Sequence, residues 1–147
     1  MSRIPINHPV SAWATETINE ICEDIALVGA KTTAYLILND KGEIIDYEVE
    51  NAALNDGETA EAMPLFNVLC SFVAAQKNTF YGRSFSPRSL WVTAARLAAN
   101  LKREDFAKEC GVPCSTLSAW EQGARTPKLD NLFIIARKFN LPTDFII

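Results

Sequence analysis

The tripeptide Gly111-Val112-Pro113 constrains this chain more than any other feature of its sequence. A glycine ends one helix by turning left-handed, and a proline suits the start of the next. Two helices, one from about Arg103 to Cys110 and one that starts near Pro113 to Ser115 and runs to Gln122, are therefore parted by a tight turn. Helices joined so closely must cross and bury their apolar sides in a shared core. Phe106 and Ala107 supply that side in the first, Leu117 and Trp120 in the second, which stops at Gly123. The same punctuation extends outward. Ser86-Pro87 opens an earlier helix, Ser as N-cap and Pro in the first turn, with Leu90, Ala94, Leu97 and Leu101 repeating along one face. A later helix from about Lys128 to Phe139 buries Leu129, Leu132, Ile135 and Ala136, and Pro142 to Ile147 reads as a fifth. The C-terminal part is thus predicted to be an all-α five-helix unit.

The preceding residues follow another pattern. Ile18, Ile21, Cys22, Ile25 and Val28 fall at helical spacing in a segment that begins near Ser11 and ends at Gly29. Two β-forming runs, Thr32 to Leu38 and Glu43 to Glu50, flank Asn39-Asp40-Lys41-Gly42 and read as a hairpin. The second run alternates, so one of its sides should be buried and the other solvated. After the turn Asn55-Asp56-Gly57, a very apolar helix starting between Ala60 and Pro64 carries Leu65, Phe66, Leu69, Cys70, Phe72 and Val73. The fold class is α+β: a small N-terminal α-β-β-α module, residues 1–82, a linker at 83–87, and a helical unit, 88–147. A lone hairpin is marginal in water and its edges are open. Two readings follow: a second copy completes the sheet, or the helices and hairpin close one small monomeric core.

Charge separates the same two parts. Residues 1–82 hold 4 Lys/Arg against 12 Asp/Glu, and residues 83–147 hold 10 against 6. The second part alone suits a polyanion. No apolar run approaches the roughly 20 residues of a membrane span. The N-terminus lacks the basic start and apolar core of a secretory signal, so a cytoplasmic location is expected, with no membrane contact. Cys22, Cys70, Cys110 and Cys114 are too scattered for a disulfide scaffold, and Cys110 and Cys114 lack the second pair of ligands that zinc needs. His8, the single histidine, lies in a Pro-flanked segment without a metal-binding or nucleophilic neighbour. Gly29-Ala30-Lys31-Thr32 misses the spacing of a phosphate-binding loop. The acidic pairs Glu23/Asp24 and Glu58/Glu61 read as solvated surface. No enzyme, cofactor or metal is expected.

From Leu101 to Ile147 the chain resembles the Cro/CI-type, or Xre, helix-turn-helix family of bacterial and phage transcription regulators; with Pro87 to Asn100 as first helix, the resemblance covers about the last 60 residues. It is carried by Phe106-Ala107, Gly111-Val112, Ser115-Thr116-Leu117-Ser118, the run Trp120-Glu121-Gln122-Gly123-Ala124-Arg125-Thr126-Pro127, and Leu129, Leu132, Ala136 and Phe139. The resemblance implies that the helix starting near Pro113 enters the major groove. Cys114, Ser115, Thr116, Ser118 and Ala119 would then face base edges, while Leu117, Trp120 and Ala107 stay in the core. These short side chains predict modest discrimination per base pair, or reliance on DNA shape and half-site spacing. Arg103, Gln122, Arg125 and Lys128 would hold phosphates. Arg125 has a second reading, a salt bridge to Glu121. Many relatives carry Ser or Thr at Lys102 and Gln at Arg103, so the usual N-cap is missing here.

The expected function is a sequence-specific, double-stranded DNA-binding regulator, a homodimeric repressor of bacterial or phage origin that dimerises through its N-terminal module. A protein partner, toxin or antirepressor, is a further expectation. The competing reading is an antitoxin whose acidic module masks a basic toxin while the C-terminal unit autoregulates the operon. A third is a ligand sensor with a pocket among the N-terminal hairpin and helices.

Overall fold

A computed structural model describes residues 10–147, with side chains from Thr15 onward; the segment around His8 lies outside it. The described elements run α1 (Val10–Val28), β1 (Thr33–Leu38), β2 (Ile44–Glu48), β3 (Thr59–Pro64), α2 (Leu65–Tyr81), α3 (Pro87–Ala98), α4 (Arg103–Cys110), α5 (Cys114–Glu121) and α6 (Leu129–Phe139). The α+β class holds, and the punctuation read from sequence falls where expected at most ends. The Gly29 N–H closes α1 onto the Ile25 carbonyl at 2.9 Å. Ser86 caps α3 by accepting from the Ser89 N–H at 3.2 Å, with Pro87 in its first turn.

Two features differ from expectation. The N-terminal part is α-β-β-β-α, because Thr59-Ala60-Glu61-Ala62-Met63-Pro64 is a strand. Its Ala and Glu content favours helix, but β1 would otherwise have an open edge, and the tertiary ladder overrides a weak local preference. The sheet order is β2-β1-β3, antiparallel throughout, with Tyr35 opposite Glu48 on one side and Ala62 on the other. Pro64, paired with Thr33, ends the strand, and α2 begins at the next residue. At the other end, Pro142 to Ile147 makes a turn closed by Ile146 N–H to Thr143 O at 3.1 Å and not a fifth helix. Six residues barely nucleate a helix, and the Pro142 carbonyl accepts from the Trp91 indole at 3.0 Å.

The hairpin is as predicted. The Asn39 side-chain oxygen accepts from the Lys41 and Glu43 N–H groups, both at 2.9 Å. β2 lacks clean alternation, however; all five of its residues are half-buried, since it is an edge strand and a register shift lies opposite it at Ile37/Leu38. Tyr47 reaches the helices, edge-on to Phe72 at 6.2 Å, and donates to the Asp24 carboxylate at 2.8 Å. Asp24 is therefore not merely solvated. Neither is Glu58, which is buried and accepts from the Asn55 N–H at 3.0 Å to close the turn.

The buried residues of both parts form one continuous cluster. α2 lies between the sheet and α3, and Phe66 meets Trp91 edge-on at 5.6 Å. α3 was expected to bury one stripe, yet every residue from Ser89 to Ala95 is buried, because α2 covers the side that α5 and α6 leave open.

Candidate nucleic-acid interface

α4 and α5 are joined by the turn that the sequence requires. Gly111 is left-handed (φ 73°), and its N–H closes onto the Lys108 carbonyl at 3.2 Å. Pro113 precedes α5, and its carbonyl accepts from Thr116 and Leu117 at 3.0 and 3.1 Å. Leu117, Trp120 and Glu121 face the core, as does Ala107 of α4. Helical spacing puts Cys114, Ser115, Ser118 and Ala119 on the opposite strip. Cys114 and Ser115 are exposed, Ser118 and Ala119 half-buried, and Thr116 is half-buried at the border with Trp120. Among the described residues, no side chain of this strip makes a hydrogen bond or ion pair, and the strip carries no charge.

Of the four residues assigned to phosphate, Arg103 lies near the end of α5, Gln122 is its C-cap, and Arg125 and Lys128 follow on the connection to α6. Arg103 is the first residue of α4, and Lys128 precedes α6; neither end has a side-chain capping bond. Gln122, Arg125 and Lys128 are exposed. The alternative pairing of Arg125 with Glu121 is not formed. Glu121 is 1% exposed and points under α3, where Arg96 Nε donates to both its oxygens at 3.1 and 3.0 Å. Arg103 approaches the same carboxylate at 3.7 Å. Arg125 instead leaves on the loop beyond Gly123, its backbone N–H bonded to the Ala119 carbonyl at 3.2 Å.

Sequence reasoning missed the residues that fix α5 from outside its domain. Lys77 of α2 donates to Thr93 Oγ1 at 2.8 Å and to the Glu121 carbonyl. Arg83 donates to the Gln122 carbonyl at 2.7 Å. Both cations lie over the Phe85 ring, 5.0 and 4.8 Å from its centre. Burial pulls Lys77 down to a pKa of about 8; Glu121 opposes that shift, and Arg103, Arg96 and Arg83 add to it. These contacts span 16 to 44 residues of sequence, so no local signal marks them. The thiols differ among themselves: burial raises Cys22 and Cys110 to about 11 and Cys70 well above its ordinary value, while Cys114 is exposed.

Among the described residues, no group of His, Cys, Asp or Glu is arranged to hold a metal ion, and no helix is long and apolar enough to cross a membrane. No curated protein and no solved structure matches the chain. A helix-turn-helix family model matches residues 92–146, from the second turn of α3 almost to the C-terminus. Domains of this kind bind DNA in transcriptional regulators, and the C-terminal part of this chain is a helix-turn-helix domain of the Cro/CI type.

Proposed function

We propose that this DNA-binding regulator is a homodimeric repressor, residues 88–147 reading the operator and residues 1–82 supplying the dimer contact through the linker 83–87. The observation that carries this reading is the outward strip of α5. Short polar or small side chains, exposed at Cys114 and Ser115 and half-buried at Ser118 and Ala119, face away from the core there, and among the described residues the exposed Arg125 and Lys128 that follow have no ion pair. Cys114, Ser115, Thr116, Ser118 and Ala119 would meet base edges, and Arg103, Gln122, Arg125 and Lys128 would meet phosphates. Two such domains would read half-sites about 34–36 Å apart. The edge strand β3, with small exposed or half-buried Ala60 and Ala62, supports the dimer by offering a row of backbone groups to a second copy.

The test is selection of duplexes from a random-sequence library by the intact protein, with light scattering on the same sample. A dimer and an enriched two-fold symmetric site are expected. A monomer that enriches a single half-site would sink the dimer, and enrichment of no sequence would sink the operator reading. The antitoxin reading is favoured by one observation, a hollow of about 640 Å³ beside β2 that is lined by Glu20, Asp24, Asp46, Glu48 and Glu50. A basic protein that copurifies with the chain, and is released when Asp46 and Glu48 are replaced by Lys, would establish it.

A further inference from the structure

A cleft of about 450 Å³ opens where the C-terminal end of α2 meets α3 and the ends of α4 and α5. Its charged lining is one-sided: Lys77, Arg83, Arg96 and Arg103 against the single carboxylate of Glu121. That carboxylate is already engaged by Arg96 and approached by Arg103. Lys77 and Arg83 have neutral oxygens as their hydrogen-bond acceptors, and among the described residues neither is in a direct ion pair, although the Glu121 carboxylate acts on Lys77 from a distance. Lys77 has three N–H donors, of which two are used. Arg83 bonds through one nitrogen of its fork. The cleft therefore holds surplus positive charge with unspent donors, set in partly desolvated surroundings.

The other wall is aromatic. Phe80 and Tyr81 are 67% and 58% exposed at the end of α2, edge-on to each other at 5.1 Å, and Tyr81 continues edge-on to Phe85 at 5.7 Å. Large rings so exposed at the mouth of a cationic cleft have no folding role that their burial would indicate. A bare phosphate would satisfy the cations and leave the rings in water. A planar group would cover the rings and leave the cations unpaired. The volume falls in the range of small-molecule sites, in which an apolar lining is combined with a few polar groups.

We propose that this cleft binds a small organic anion with a planar ring, its carboxylate or phosphate held by Lys77 and Arg83 and its ring against Phe80 and Tyr81. The ligand would sit beside the donors that hold the Glu121 and Gln122 carbonyls, at the end of the helix read above as the base-facing one. The site does not depend on dimerisation or on a symmetric operator. It lies between α2 and the helix-turn-helix domain, away from the N-terminal hairpin.

The test uses the intact protein without DNA, at constant ionic strength, with benzoate and phenyl phosphate as probes and inorganic phosphate and phenol as controls. Calorimetry should show at least one ring-bearing anion saturating with a Kd of about 1 mM or below. Ligand at about one hundred times that Kd should raise Tm by about 5 °C or more. Both controls should bind at least tenfold more weakly. Arg83→Ala and Phe80→Ala should each weaken the ring anion about tenfold; Phe80→Ala, at an exposed side chain, should keep the Tm of the free protein, whereas Arg83→Ala also removes the bond to the Gln122 carbonyl and should lower it. Three results would overturn the proposal: no saturation by either ring anion, inorganic phosphate binding as tightly as phenyl phosphate, or both variants binding as the parent does. The second result would identify the cleft as a seat for a bare phosphate, such as that of a DNA backbone. Because DNA is absent, failure of the operator reading leaves these outcomes unchanged.

Discussion

Gly123 shows how one residue decides the geometry around α5. Its φ is +77°, and a Cβ there would lie 2.9 Å from the Phe85 ring, so both backbone conformation and space demand glycine. Gly123→Ala is expected to cost about 2–4 kcal/mol, read as a lower denaturation midpoint, from left-handed strain and overpacking together. Lys77 carries a different kind of strain. Its pKa falls from an ordinary 10.5 to about 8 on folding, so between these values the unfolded chain binds the proton more than the folded one does, and stability rises with pH. Below pH 8 the charged ammonium opposes folding by a constant amount. The stability of the parent relative to Lys77→Met should therefore climb from pH 8 toward 10.5; denaturant titrations at several pH values check this, and a flat or falling difference refutes it. Glu121 was legible as part of the Trp120-Glu121 motif but its partner was not. Four residues of spacing suggest Arg125, whereas the turn at Gly123 carries Arg125 away and the crossing of α3 brings Arg96 opposite.

The helices of the C-terminal part were legible because each has its own punctuation: Ser86-Pro87, Gly111, Pro113 and Gly123 act within a turn of the helix they start or stop. β3 was not legible, because its alanines say nothing about the unpaired edge they meet. The terminal hexapeptide was misread for a related reason, since Trp91, some fifty residues away, takes the carbonyl of Pro142. The proposed DNA contacts make a prediction at this scale. On α4 and before α6, Arg103→Ala or Lys128→Ala should weaken binding to every duplex and reduce the salt slope by about one ion each. On α5, Ser115→Ala or Ala119→Ser should alter the preferred sequence and leave that slope unchanged. Fluorescence anisotropy over a salt series separates the two classes, and a sequence-independent loss at Ser115 would contradict its role.

Across the whole molecule, the acidic and basic parts share one apolar core. Phe66 of α2 and Trp91 of α3 meet inside it, and α3 is buried on the side that a free-standing helix-turn-helix domain would leave open. Phe66→Ala should cost about 3–5 kcal/mol, and far-ultraviolet dichroism and tryptophan fluorescence should report one coincident transition shifted by that amount. Two separated transitions would show that the parts unfold independently. The sequence by itself determined what depends on neighbours a few residues apart: helix ends, the three-residue turn, the hairpin, the apolar stripes and the helix-turn-helix family. Only the tertiary structure decided what depends on surfaces brought together from afar: the third strand, the full burial of α3, the partner of Glu121, and the cationic cleft at the end of α5. Local sterics and capping act over one turn of chain and are written in adjacent residues, whereas edge pairing, ion-pair choice and cavity shape depend on which distant surfaces the core leaves in contact.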